Sequence, residues 1–165
     1  MQFASSVPYF KAALIDRLQA TPALATGKTT ISRGLPYPKS WGSEAVIVGG
    51  MSNYQQRLVA GLTQRREEYD VEIAIDASGS AQDPYEDFEV RAYQLAAAVE
   101  TSLTQWTRTG EPLVSGDWGY VAAALPEYVS DEEGIDQEEG KAPRGRSAAV
   151  RMRVHVTAVV LGHGA

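Results

Sequence analysis

Between Pro84 and Trp106 the apolar residues Phe88, Ala92, Leu95, Val99, Leu103 and Trp106 recur at intervals of four, three, four, four and three. That spacing gathers them into one stripe along a single α-helix. At ~1.5 Å per residue the segment spans about 34 Å, enough to cross a whole sheet. Asp83 is placed to cap the helix, Pro84 to take its first position and Glu86 to complete a capping box, while Gly110 and Pro112 end it. The rest of the chain has to supply an apolar surface under this stripe.

Strand patterns supply it. Tyr69, Val71, Ile73 and Ile75 alternate with Asp70, Glu72, Ala74 and Asp76, which describes a strand with one buried and one wet face. From Ser147 to Leu161, Val150, Met152, Val154, Val156, Ala158 and Val160 alternate with Arg151, Arg153, His155 and Thr157. Such a strand exceeds the usual ~5–6 residues. It is expected to bend, bulge or run past its own sheet, leaving an edge for another chain. Shorter strands are predicted at Thr29–Ser32, Glu44–Val48 and Tyr120–Leu125, the last bounded by Gly119 and Pro126. Gln56–Thr63, with Leu58, Val59 and Leu62, suits a helical turn or a strand, and strand is preferred. Gly34–Gly42 reads as a proline-rich loop and Ala77–Gln82 as a turn. Pro8–Ala20 forms a first helix, with Ser6 as its cap and Phe10, Leu14 and Leu18 on its apolar face.

No internal repeat or linker divides the 165 residues, so one domain over residues 1–165 is expected. Runs of strands with only two helices give an α+β fold, with the long helix and the shorter N-terminal one on one face of an antiparallel β-sheet. There is no cysteine, which removes disulfides, thiolate metal sites and cysteine nucleophiles. No basic-then-apolar leader opens the sequence and no stretch approaches the ~18 apolar residues of a membrane span, so synthesis in the cytoplasm without membrane insertion is expected. Net charge is −6, but Asp131, Glu132, Glu133, Asp136, Glu138 and Glu139 cluster, leaving 15 acids to balance 15 bases. The cluster reads as a solvated acidic loop at about 130–145. Arg65, Arg66, Arg144 and Arg146 are too scattered to form a nucleic-acid groove, and the adjacent Glu67 and Glu68 read as exposed turn residues.

Chemical motifs are thin. Gly27-Lys28-Thr29 ends like a phosphate-binding loop, but Pro22 stands where that loop needs glycine. The acidic run lacks the ordered ligand spacing of a calcium loop. Neither His155 nor His163 has a second histidine at metal-binding spacing, and no serine sits in a Gly-x-Ser-x-Gly elbow. No catalytic residue, metal or cofactor is assigned. His155 is the one candidate acid or base, and an enzyme reading would need a pocket that pairs it with a carboxylate.

Taken in order, the opening helix PYFKAALIDRLQA, the proline-rich loop with Trp41 leading to EAVIVGG, the strand EEYDVEIAID, the long helix EVRAYQLAAAVETSLTQW and the closing strand RMRVHVTAVVL resemble the tail terminator family of long-tailed bacteriophages. These parts cover most of the chain and are patterns of hydrophobicity. Neck and tail-completion (head–tail connector) proteins of the same particles share much of the plan. The resemblance implies a structural virion protein without enzymatic activity, assembled in the host cytoplasm. It would form a homohexameric ring on the head-proximal end of the tail tube, stop polymerisation of the tube protein and present a joining surface to the head–tail connector. DNA would pass through without specific binding. On that reading the surfaces to follow are Asp131, Glu132, Glu133, Asp136, Glu138 and Glu139, with Arg151, Arg153 and His155 on the closing strand. A monomeric protein-binding adaptor is the alternative outside virion assembly.

Overall fold

The computed structural model describes residues 2–35, 43–59, 63–136, 139–140 and 145–163. In chain order these form β1 (Gln2–Phe3), α1 (Val7–Gln19), β2 (Thr29–Arg33), β3 (Glu44–Val59), β4 (Gln64–Ser80), α2 (Tyr85–Thr107), β5 (Val114–Gly116), β6 (Gly119–Asp136) and β7 (Gly145–His163). Trp41, the prolines of the preceding loop, and Leu62 lie outside the described residues.

The strands make one sheet in the order β2-β3-β4-β7-β6-β5, with β1 added to the end of β7. All neighbours are antiparallel except β2 and β3, which run parallel. The fold is therefore α+β, with one parallel pair at a sheet margin that the sequence reading did not anticipate.

The two alternating segments are neighbours at the centre of the sheet. All of the 17-residue β4 pairs with β7, from Gln64 opposite Leu161 to Ser80 opposite Gly145, with no register shift. On its other side β7 pairs with β6 from Gly145 opposite Asp136 to Val160 opposite Gly119. The expectation that this long strand would project as an edge is thus corrected: it is covered on both sides. Its neighbours proved longer than their apolar cores suggested. Glu67–Glu68 and Asp131–Glu133 look like turn or loop chemistry, yet a ladder satisfies their backbone groups whatever the polarity of their side chains. The predicted turn at Ala77–Gln82 likewise begins only after Ser80, and the predicted acidic loop from Ser130 is strand as far as Asp136. Pro126 does not end β6. It lies in a strand that, beyond Val121, has no described partner on its outer side, where a missing N–H is tolerated.

Both helices cover one face. Ala92, Leu95, Ala96, Val99 and Leu103 of α2 and Phe10, Leu14 and Leu18 of α1 are buried with Val46, Val71, Ile73, Ile75, Val150, Met152, Val154 and Val156 in one apolar core. Phe88 and Trp106, the ends of the α2 stripe, are half-buried against it. The helix starts one residue later than predicted, and its capping box does not form. Pro84 stays extended at the N-cap, which places Asp83 outside capping reach, and Glu86 and Asp87 complement the helix dipole from the first turn. Laterally, Arg91 makes a two-pronged pair with Glu44 at 2.6 and 3.0 Å, and Glu44 also accepts from Thr29 Oγ1 at 2.8 Å, so one carboxylate ties α2 to β2 and β3.

The N-terminus of α1 rests on a buried acid. Glu67 shares the parity of Tyr69 and Val71, so it points into the core and is 0% exposed, against the expectation of an exposed turn residue. Its Oε2 accepts from the Ser6 amide at 2.9 Å and the Ser6 hydroxyl at 2.7 Å; its Oε1 accepts from Tyr54 at 2.6 Å and Arg65 at 2.8 Å. Ser6 holds the N-cap position but spends its hydroxyl on this carboxylate rather than on the helix. Burial alone would push the Glu67 carboxyl up, but the hydrogen bonds from Tyr54 and Ser6 and the Arg65 charge outweigh it and hold the group below its ordinary value.

Two outcomes test this account. Glu67→Ala leaves Tyr54, Ser6 and Arg65 without their shared acceptor, and urea unfolding should show a loss of about 3–5 kcal/mol. Since the folded protein depresses this carboxyl, its contribution is complete above about pH 5 and is lost as pH falls through the folded-state value. The stability gap between the wild type and Glu67→Gln should narrow on acidification, and a gap that widens would contradict the arrangement. At the β5–β6 turn, Gly119 has φ 132° and its missing Cβ would collide with the Val159 carbonyl. Gly119→Ala should therefore lower the melting temperature far more than Gly110→Ala, where φ is 72° and the space is open.

Candidate assembly surface

The outer face of the sheet, away from the helices, carries the polar half of each alternation. Arg151, Arg153 and His155 follow one another there along β7, and carboxylates on both neighbours meet them. Arg151 lies 3.4 Å from Glu132 of β6 and 3.9 Å from Glu72 of β4; Arg153 lies 3.2 Å from Glu127 and 3.8 Å from Asp70. Except at the buried Asp70, these are exposed pairs, each contributing little to stability. The better-built contact is at Asp70, which receives Asn53 Nδ2 at 2.7 Å and faces His155 Nδ1 at 2.9 Å. Burial would raise the Asp70 carboxyl, but the hydrogen bonds from Asn53 and His155, with the charge of Arg153, hold it below its ordinary value. An ionised Asp70 only accepts, so His155 carries its proton on Nδ1.

The structure thus gives His155 the carboxylate that an enzyme reading demanded, but on an open sheet face. The nearby depression is lined by Ser52, Glu72, Val129, Arg151 and Arg153, without His155. The larger groove, of about 720 Å³, lies across the molecule between the end of α1 and α2. Among the described residues its one titratable lining residue is Arg17, whose guanidinium sits 5.1 Å from the Trp106 ring centre and donates to the Ser102 carbonyl. Among the described residues no three His, Asp or Glu side chains are grouped to hold a metal ion, and no helix is long and apolar enough to cross a membrane.

The acidic residues do not form one loop surface. Asp131 points to the helix side and accepts from the Tyr93 hydroxyl at 2.9 Å, whereas Glu132 points to the outer face and Arg151. Glu133 reaches Arg146 at 3.5 Å. Asp136 ends β6, Glu139 is exposed in a turn, and Glu138 lies outside the described residues. Beside Asp131, Tyr128 donates to Glu100 at 3.0 Å, and burial together with that carboxylate pushes its phenol up to about 12. Val90, Tyr93, Leu125, Tyr128 and Val129 are all at least 39% exposed, so apolar surface and carboxylates are interleaved along β6 and the adjoining side of α2.

Among the described residues, two stretches of sheet margin have no neighbouring strand. β2 covers β3 only from Glu44 to Val48, and β5 covers β6 only from Gly119 to Val121. Among the described residues, no strand pairs with the outer side of β3 beyond Gly49 or of β6 beyond Val121. Lys11 Nζ donates to the Gly49 carbonyl at 2.6 Å, which closes the covered part of β3. The sequence reading placed the open edge on β7. Pairing order is a non-local property, and the signal that was present, a short strand at Thr29, does not say which neighbour it covers.

No protein-family model matches this chain, and no curated protein matches it in sequence. In structure it is similar to a chain from the virion of a native gene transfer agent particle, with a TM-score of 0.54 and 18% identity over 89% of this chain and 93% of that one. The likeness covers nearly the whole of both folds.

Proposed function

We propose that residues 1–165 form one tail-terminator-like unit that acts in a virion as a structural subunit, without catalysis. It would assemble as a homohexameric ring on the head-proximal end of the tail tube, where it ends tube polymerisation and presents the surface to which the head connector joins. The observation that carries this reading is the near end-to-end structural likeness to a chain of a gene transfer agent virion. The order of helix and strand segments adds to it, as does a surface whose notable features are sheet margins and interleaved charge rather than an enclosed pocket. On this reading Asp131, Glu132, Glu133, Arg151, Arg153 and His155 belong to the assembly surface, and DNA passes the ring without sequence-specific contact.

Electron microscopy of the purified protein, alone and mixed with tail tubes, tests the proposal. Rings, or added density at one end of the tubes, are the expected result. Density at another level of the neck would favour a connector or tail-completion role, and a protein that stays monomeric and leaves tubes bare would sink the reading. A chemical activity of the purified protein that His155→Ala abolishes would point to an enzyme instead.

A further inference from the structure

We propose that successive copies of this chain join by sheet extension, with the outer margin of β3 at Gln55–Val59 pairing with the outer margin of β6 at Ser130–Asp136 of the next copy. The inference deepens the ring reading and rests on it.

Three observations lead to this pairing. First, the open margins lie at opposite corners of the sheet. The chain runs antiparallel from β3 to β4 to β7 to β6, so Gln55–Val59 lies at the end where β6 begins, and Ser130–Asp136 lies at the other end. The short strands β2 and β5 cover the two remaining corners. Three antiparallel steps also leave β3 and β6 antiparallel to each other. A second copy in the same orientation, displaced along the strands so that its Ser130–Asp136, level with Arg151–Gly145, meets Gln55–Val59, level with Thr157–Leu161, therefore brings its β6 onto β3 as an ordinary antiparallel neighbour. Such a contact is heterologous, the kind that closes rings.

Second, these stretches are the regular parts of their margins. Register shifts interrupt β3 between Val48 and Met51 and between Ser52 and Gln55, and β6 between Val121 and Ala123 and between Tyr128 and Ser130. Bulges blunt an edge, and Pro126 blunts the middle of β6. Beyond the last bulge in each strand the ladder is unbroken, through Val59 in β3 and through Asp136 in β6.

Third, the two stretches differ in charge. Gln55-Gln56-Arg57-Leu58-Val59 carries one cation, exposed and without an ion pair among the described residues, beside Leu58 and Val59, which are 59% and 40% exposed. The β6 stretch carries Asp131, Glu132 and Glu133, all exposed. Pairing β6 with β6 would set carboxylates against carboxylates, and pairing β3 with β3 would set Arg57 against itself. The mixed pairing opposes unlike charges.

The absence of native cysteine makes the test direct. Gln56→Cys is prepared in one batch, and Ser130→Cys, Asp131→Cys, Glu132→Cys and Glu133→Cys in separate ones. Each is mixed with the first under mild oxidation, with circular dichroism confirming the fold and electron microscopy recording rings. Disulfide-linked dimers should appear in at least one mixture and be missing from each variant alone, and the matching double variant should give a ladder of linked oligomers. Dimers of Gln56→Cys alone or of a β6 variant alone would overturn the pairing in favour of a two-fold contact. Rings without any mixed disulfide would overturn the pairing and leave the ring reading standing, whereas monomers without rings or links would overturn both.

Discussion

The gap-free ladder between β4 and β7 is the interaction on which the rest of the molecule depends. Seventeen residues of β4 are matched one for one, so the alternation of each strand is locked in phase with the other, and Tyr69, Val71, Ile73 and Ile75 arrive on the same face as Val150, Met152, Val154 and Val156. A slip of one position would turn the apolar set of one strand, either Val71 and Ile73 or Val150, Met152 and Val154, away from the core. The core under α2 is assembled from that phase lock, and the bulges are displaced to β3 and β6, where bending does not disturb it.

The same lock explains how charge is distributed. With one face committed to the helices, Arg151, Arg153 and His155 have to point outward; register sets Asp70 opposite His155 and Glu72 and Glu127 opposite Arg153, with Glu132 a diagonal step from Arg151. The polar face is therefore a consequence of the apolar one, and most of its pairs are exposed contacts of small individual worth. Asp70 is the exception, because Asn53 in a left-handed conformation at φ 52° turns its amide onto the carboxylate from a bulged stretch of β3.

Much of this was legible from local periodicity. The α2 stripe, the parity of Tyr69–Ile75 and of Val150–Val160, and the apolar face of α1 all follow from the spacing of side chains. Periodicity fell short where polarity misleads. Glu67 continues the buried parity of β4, but a charged residue signals core only once its partners are known, and Ser6, Tyr54 and Arg65 come from three different places in the sequence. Asp131–Glu133 look like a loop because acids resist burial, although on a half-exposed strand they need none. The capping box at Asp83 failed for a backbone reason: the extended Pro84 intervenes between cap and helix. Which strands lie at the margins depends on pairing between distant segments, and no local pattern encodes it.

The position of β7 has a consequence for how the molecule comes into being. It separates β4 from β6 in the sheet, yet it follows both in the chain, so neither has its central partner until residues 145–163 have been made. During synthesis the β3–β4 pair can form, but its apolar face stays without half of the floor that α2 needs, and long-range closure of this kind is slow. The nascent chain consequently passes through a stage with more bare strand edges than the finished protein has. Insertion of β7 covers two of them at once, so the same event that completes the core also reduces the molecule's stickiness to the two margins that remain.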